Sequence, residues 1–126
     1  MDMHDTALAA AGIIGVVVAV IHGVLTERLM AAPFRVRAEP PLSATVRRIA
    51  PLLLQFSTFN WLVGGLVLVV AALWLGPEAR WVVGLLVGSS YLFGAAGNLW
   101  ATRGRHPGWA LYALALALIA YGLAGA

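Results

Sequence analysis

Residues 51–75, PLLLQFSTFNWLVGGLVLVVAALWL, form an apolar run that contains no Asp, Glu, Lys or Arg. A helix crosses the hydrocarbon core of a bilayer with about 20 mostly apolar residues, because each residue adds about 1.5 Å along the axis. Three further apolar segments of similar length lie at about 7–27, 81–101 and 108–125. The sequence therefore predicts an all-α integral membrane bundle of four transmembrane helices, built as a single domain over residues 1–126.

The composition leaves little of the chain for a water-exposed domain. Apolar residues make up 62% of the 126 residues and charged residues only 10%, whereas a soluble domain exposes charge over most of its surface. There is no Cys, which excludes disulfides, thiol catalysis and Cys-ligated metal sites. The net charge of +3 comes from arginines scattered between the apolar runs, so it does not indicate nucleic-acid binding. The expected partners are the lipid bilayer and either a second copy of the chain or another membrane protein.

Most of the arginines lie on one side of the predicted bundle. Segment 28–50 and the connection between the third and fourth spans hold Arg28, Arg35, Arg37, Arg47, Arg48, Arg103 and Arg105. Short loops rich in Arg stay on the cytoplasmic side of a membrane, so segment 28–50 is predicted to be a cytoplasmic loop. Both termini are then predicted to be periplasmic. Abundant Ala, Gly and Arg without any Lys is typical of a GC-rich genome, which favours a bacterial inner membrane.

Proline, glycine and serine mark the predicted helix ends. Ala32–Pro33 and Glu39–Pro40–Pro41 should break any helix in the loop, because proline lacks an N–H group and disfavours helix in the preceding residue. Ser43 is the predicted N-cap of the second helix, and Pro51 marks a point where that helix can kink. Gly76–Pro77 predicts a tight hairpin between the second and third spans.

Small residues predict where the helices pack, since helices in membranes associate through close contact. A packing seam repeats small residues at alternating spacings of three and four along a helix. The fourth span has the clearest such stripe, at Ala110, Ala113, Ala117, Ala120 and Ala124. The first span has the weakest, at Gly12, Gly15, Ala19, His22 and Thr26. Together the stripes favour a tightly packed bundle over four separate helices.

Polar residues inside the spans gather on the predicted cytoplasmic side. The candidates for a ligand or proton site are His22, Glu27, Gln55, Asn60 and Asn98. An ionisable residue within a membrane is a functional hypothesis by default, and the ordinary pKa of His, about 6.5, permits proton relay at His22. The alternative is that these groups only form hydrogen bonds between helices, each contributing about 0.6 kcal/mol.

Charged residues flank the spans on the same side. Glu27 is expected to pair with an arginine, with Arg28, Arg47 or Arg103 as partners. The candidates for holding an anionic headgroup are Arg47, Arg48, Arg103, Arg105 and His106. Ordinary positive flanking of the spans also explains these side chains, and more simply.

Three functional hypotheses follow. The first is a non-enzymatic oligomeric or accessory membrane subunit with a polar interaction site on the cytoplasmic side. The second is a small transporter or channel with His22 in the pathway, although small multidrug transporters carry an acidic residue in the first helix, where this chain has only His22. The third is a membrane enzyme or a haem protein centred on His22. A second His22 across a dimer axis would then supply the other haem ligand, because His4 lies on the opposite side and His106 in a loop. No motif predicts a metal site or another cofactor.

The stretch GNLWATRGRHPGW at Gly97–Trp109, together with HGVLTER at His22–Arg28, resembles a group of short four-span proteobacterial membrane proteins. The resemblance covers the whole chain in layout and these two segments in detail. It implies the four-span fold and an inner-membrane location, and it implies no activity. It also implies a His in the second span, where this chain has Gln55.

Overall fold

Every regular element in the described part of the chain is helical. The computed structural model describes residues 1–37 and 43–125. The elements are α1 (Met3–Thr26), a π-helical turn (Glu27–Ala31), α2 (Ala32–Arg37), α3 (Ala44–Trp74), α4 (Pro77–Thr102) and α5 (Gly108–Leu123). The helices that begin with α1, α3 and α4 are each long and apolar enough to cross a membrane. Helix α5 is apolar but has only 16 residues, about 24 Å. The predicted all-α bundle is confirmed, and its four spans correspond to α1, α3, α4 and α5.

The four helices pack in a ring. Helix α1 lies between α3 and α5, and α4 closes the ring against the same two neighbours. The start of α1 and the end of α5 lie at one end of this ring, where the His4 ring stacks on Tyr121 with ring centroids 4.5 Å apart. We call this the terminal end. The opposite end, which carries α2 and the turn between α4 and α5, is the loop end.

The first helix extends beyond its predicted end. Beyond Thr26 the chain forms the π turn, in which the Ala32 N–H bonds to the carbonyl of Glu27, and it then continues as α2 to Arg37. The predicted helix break at Ala32–Pro33 is therefore wrong. A π turn shifts the carbonyls that precede the proline, so the helix accommodates the Pro33 ring without ending. The second predicted break, at Glu39–Pro41, lies outside the described residues.

The other predicted helix ends agree with the structure. Ser43 caps α3 by accepting a hydrogen bond from the Val46 N–H at 3.3 Å. Helix α3 then runs unbroken through the buried Pro51, so the basic segment 44–50 and the span form one helix. Gly76 is the N-cap of α4 and Pro77 its first residue, as the hairpin prediction requires. The turn is shorter than the sequence suggests, because Arg80 already belongs to α4.

The closest helix crossing joins α1 to α3. A Cβ atom built on Gly12 would lie 2.5 Å from the carbonyl oxygen of Gly65, and one built on Gly65 would lie 2.6 Å from that of Gly12. The two backbones are therefore in direct contact, which only glycine on both helices permits. The stripe predicted for the first span is confirmed, since Gly12, Gly15, Ala19 and Thr26 are buried.

The stripe predicted for the fourth span is wrong for this bundle. Its five alanines, Ala110, Ala113, Ala117, Ala120 and Ala124, are all exposed. Helix α5 instead buries the face that carries Tyr112, Ala115, Ile119 and Gly122. Tyr112 and Ile119 make more packing contacts than alanine, and Gly122 permits close approach to the backbone of Leu8. Alanine is so frequent along α5 that its spacing does not determine which face is buried.

Candidate functional site

A polar cluster at the interface of α1 and α3 surrounds His22. The His22 Nε2 atom lies 3.1 Å from Ser57 Oγ and 3.1 Å from Thr26 Oγ1. Two residues closer to the loop end on α3, Gln55 Nε2 donates a hydrogen bond to the carbonyl of Gly23 at 3.2 Å. The structure thus brings two of the predicted site residues, His22 and Gln55, into one interface.

The hydroxyl groups around His22 can form a hydrogen bond with its Nε2 atom whether or not that atom carries a proton. Ser57 Oγ also donates to the carbonyl of Leu54 at 3.3 Å, which leaves its lone pairs free to accept a hydrogen bond from Nε2–H. An unprotonated Nε2 accepts instead from the hydroxyl of Thr26 or Ser57. The site can therefore hold His22 in either tautomer without leaving Nε2 unpaired, a property that proton transfer also requires.

Four aromatic rings, one from each helix of the ring, form a continuous chain from His22 into the core. The His22 and Trp61 ring centroids are 4.7 Å apart, those of Trp61 and Tyr112 4.9 Å, and those of Tyr112 and Tyr91 5.0 Å. We call these four residues the aromatic column. Sequence analysis missed Trp61 and Tyr112. The available signal was that Trp61 is the one tryptophan that lies far from the ends of the predicted spans.

Two glycines create the space that the aromatic column occupies. A Cβ atom on Gly15 would lie 1.6 Å from the hydroxyl oxygen of Tyr91. On α4, a Cβ atom on Gly94 would lie 2.8 Å from the Trp61 ring and 3.3 Å from the Tyr112 ring. The aromatic rings therefore fit only because α1 and α4 have no side chain at these two positions.

The column contains buried hydroxyl groups that the described residues do not satisfy. Tyr91 is 0% exposed and Tyr112 is 2% exposed, and neither hydroxyl has a hydrogen-bond partner among the described residues. The same holds for Thr58 Oγ1 on α3. An unsatisfied buried hydroxyl costs about 1–3 kcal/mol, so these three groups lower the stability of the core.

Asn60 does not join this cluster. Its Nδ2 donates a hydrogen bond to Ser90 Oγ on α4 at 2.6 Å, and the Asn60 side chain lies on the exposed surface of the bundle. Its position within span 51–75 places it roughly 14 Å from the start of the span, near the middle of the bilayer core. The structure therefore separates an interior polar site at His22 from an exposed polar site at Asn60.

Asn98, near the end of α4, and His106, in the turn between α4 and α5, lie at the loop end. Thr102 Oγ1 donates to the Asn98 carbonyl at 2.7 Å, and His106 Nδ1 accepts from the Gly108 N–H at 3.1 Å. His106 thus satisfies a free N–H group at the start of α5. The side-chain Oδ1 of Asn98 is buried without a partner among the described residues. Arg103 and Arg105, the two arginines of this turn, are exposed.

Glu27 pairs with an arginine that the sequence did not single out. The Glu27 carboxylate is bound by Arg35 from α2, and both side chains are nearly half exposed. The predicted partners Arg28, Arg47 and Arg103 are not used. Because the first helix continues through the π turn, Arg35 comes about two turns after Glu27 on the same helix and lies within reach. This pair therefore has a structural role at the surface of the loop end.

The terminal end holds a second polar cluster that sequence analysis missed. Arg80 Nε donates to the carbonyl of Leu75 at 2.8 Å, and its Nη2 donates to that of Ala72 at 2.9 Å. Its Nη1 binds the carboxylate of Asp5, which also caps the start of α1 together with Asp2. Arg80 is the one arginine that does not lie on the predicted cytoplasmic side. Its structural role is to bind the end of α3 and the start of α1 together.

Comparisons with known proteins do not assign this chain to a family. No family model matches it, and neither does any curated protein or solved structure. Among the described residues, no group of three or more His, Cys, Asp or Glu side chains lies close enough to hold a metal ion. The two polar sites, at His22 and at Asn60, are therefore the candidate functional sites of this chain.

Proposed function

We propose that this chain is a non-enzymatic, self-associating subunit of a bacterial inner membrane, with both termini periplasmic. The observation that carries the proposal is the exposed amide of Asn60 near the middle of α3. The arginines of the loop end support the orientation, since they make it the cytoplasmic end by the positive-inside rule.

An amide that faces hydrocarbon requires a partner. Of the hydrogen-bonding groups of the Asn60 side chain, the described residues engage only one N–H, through Ser90. The remaining N–H and the carbonyl oxygen are unfavourable in lipid unless another helix covers them. A primary amide is both donor and acceptor, so two Asn60 side chains related by a two-fold axis satisfy each other. A second copy of the chain is therefore the partner that fits.

The surface beside Asn60 suits close approach of another helix. Phe93 and Gly97 follow Ser90 on α4 by three and seven residues, which places them on the same helix face. Phe93 is 80% exposed, and nothing lies within 4 Å of the position where a Cβ atom on Gly97 would be. We call Asn60, Ser90, Phe93 and Gly97 the Asn60 face. It combines a polar centre, a large apolar side chain and a glycine, the composition of many membrane helix contacts.

Replacing Asn60 with leucine is expected to weaken self-association about tenfold, because a hydrogen bond between membrane helices contributes about 1–2 kcal/mol. The measurement is energy transfer between donor-labelled and acceptor-labelled chains in liposomes, followed as lipid is added to dilute them. Asn60→Gln retains the amide and should restore part of the transfer. Phe59→Leu, at a neighbouring exposed position outside the Asn60 face, is the matched control and should behave as the wild type. A wild-type chain that is monomeric at every dilution, or an Asn60→Leu variant that associates equally well, would contradict the proposal.

A second candidate function is proton-coupled transport along the aromatic column. The supporting observation is that His22 contacts two hydroxyls and leads through Trp61 to two tyrosines whose buried hydroxyls have no partner among the described residues. Ionisable and hydroxyl groups inside a membrane bundle are typical of proton pathways in membrane proteins. This function needs only one chain, so it can be tested separately from self-association.

Proton flux into liposomes that contain a pH-sensitive dye tests the second candidate. With a membrane potential imposed, wild-type flux should exceed that of empty liposomes, and His22→Leu should lower it at least tenfold, because leucine removes the only imidazole on the column. The matched control is His4→Phe, which removes a His at the terminal end and retains an aromatic ring for stacking on Tyr121. Flux equal to that of empty liposomes, or equal flux in His22→Leu, would eliminate this candidate.

A further inference from the structure

An apolar groove lies at the loop end between the first helix and α3. Its volume is about 710 Å³, within the range of about 300–1,000 Å³ that is common for ligand sites. It is lined by Met30, Pro33, Phe34, Ala50, Leu53 and Leu54. Met30 and Leu53 are more than half exposed, so the groove is open on the side that faces lipid. We call it the loop-end groove.

The groove exists because the first helix does not end where the sequence predicts. The π turn carries the chain on into α2, so that Pro33 and Phe34 stand opposite the first turns of α3 instead of forming a loop. The wall on α3 comes from Ala50, Leu53 and Leu54, which share one face of that helix. Both walls are apolar, as an acyl chain requires.

Positive charge lies beside the end of this groove that is nearest to the start of α3. Arg47 precedes Ala50 by three residues and Leu54 by seven, so it lies on the same face of α3, one turn nearer to the loop end. Arg47 is exposed, and within the described residues the carboxylate of Glu27 is bound by Arg35 and not by Arg47. Residues 27–48 contain five arginines against two glutamates, which gives this end a net positive charge. The start of α3 adds the partial positive charge of a helix N-terminus.

We infer that the loop-end groove binds an acyl chain of an anionic phospholipid whose phosphate pairs with Arg47. The apolar loop-end groove is complementary to the acyl chain of such a lipid, and Arg47 at its end is complementary to the phosphate. A zwitterionic lipid lacks the net negative charge, and a free phosphate ion lacks the acyl chain. Basic sites beside membrane helices on the cytoplasmic side are the usual locations for anionic lipids.

Native mass spectrometry of the full chain in detergent, titrated with phosphatidylglycerol or phosphatidylcholine of the same acyl chains, tests this site. Phosphatidylglycerol is expected to bind at least fivefold more tightly, and Arg47→Gln should reduce its affinity to that of phosphatidylcholine. Arg105→Gln removes an exposed arginine from the other turn of the loop end, and it should retain the preference. Leu53→Asp, on the exposed wall of the groove, should weaken the binding of both lipids.

Three outcomes would overturn the inference. The first is equal affinity for the two lipids, which would mean that the arginines do not select for charge. The second is an equal loss of affinity in Arg47→Gln and Arg105→Gln, which would mean that the lipid responds only to the overall charge of the loop end. The third is displacement of phosphatidylglycerol by excess inorganic phosphate, which would mean that the arginine alone forms the site. If the groove holds the acyl chain, the lipid stays bound.

Discussion

Replacing Gly12 with alanine is expected to lower the free energy of unfolding by about 2–3 kcal/mol, the upper part of the range of about 1–3 kcal/mol for overpacked contacts. The added Cβ would lie 2.5 Å from the carbonyl oxygen of Gly65 and 3.0 Å from the backbone nitrogen of Val69. Backbone atoms of α3 cannot rotate away as a side-chain tip does, so α1 and α3 must separate along their most extensive interface. The measurement is loss of helical circular dichroism during denaturant titration in detergent micelles.

Gly88→Ala is the matched control for this result. Gly88 lies inside α4, away from the Asn60 face, and a Cβ atom there would come no nearer than 3.8 Å to Leu116. Because alanine favours helix over glycine by about 0.5–1 kcal/mol, this variant should be neutral or slightly more stable than the wild type. If Gly12→Ala is as mild as Gly88→Ala, α1 and α3 do not cross at Gly12 and Gly65.

Replacing Arg80 with alanine is expected to lower the free energy of unfolding by about 2 kcal/mol. The substitution removes the donors for the carbonyls at the end of α3 and leaves the carboxylate of Asp5 without its cation. Loss of one partner from a fully buried ion pair costs about 3–5 kcal/mol, but the Arg80 and Asp5 side chains are 20% and 17% exposed, so the expected effect is smaller. The same denaturant titration measures it.

Arg80→Lys separates the contribution of the ion pair with Asp5 from that of the hydrogen bonds to the α3 carbonyls. Lysine retains the positive charge but has one ammonium group in place of the planar guanidinium that reaches both Asp5 and the α3 carbonyls. Its stability should fall between those of the wild type and Arg80→Ala. Arg105→Ala, which removes an exposed arginine at the loop end, should leave stability within about 0.5 kcal/mol of the wild type. If Arg80→Ala is equally mild, the cluster does not hold the terminal end together.

The fold can be predicted from two features of the sequence, namely the length of each apolar run and the absence of charge within it. Only some of the helix ends can be predicted in this way. Ser43 and Gly76–Pro77 act locally, through hydrogen bonds to their own helix or through fixed backbone angles, and they were predicted correctly. Pro33 was not, because a π turn offsets its effect, and no local pattern distinguishes that turn from a helix end.

The rotation of each helix about its own axis is the feature of the fold that is hardest to predict from the sequence. In a soluble helix the polar face identifies the buried face, but lipid and protein interior are both apolar, so α5 carries no such signal. The aromatic column and the exposed position of Asn60 both depend on this rotation. His22 was singled out by its ionisable side chain, whereas its partners Thr26, Ser57 and Trp61 come together only when α1 and α3 pack.

Cysteine cross-linking in native membranes tests self-association through the Asn60 face most directly, since the chain has no Cys of its own. Single variants Gly97→Cys on that face and Ala113→Cys on the exposed alanine stripe of α5 would be oxidised under the same conditions. We expect a disulfide-linked dimer for Gly97→Cys, lost when Asn60→Leu is added, and little dimer for Ala113→Cys. Efficient cross-linking of Ala113→Cys with none at Gly97→Cys would place the contact on α5 and contradict self-association through the Asn60 face.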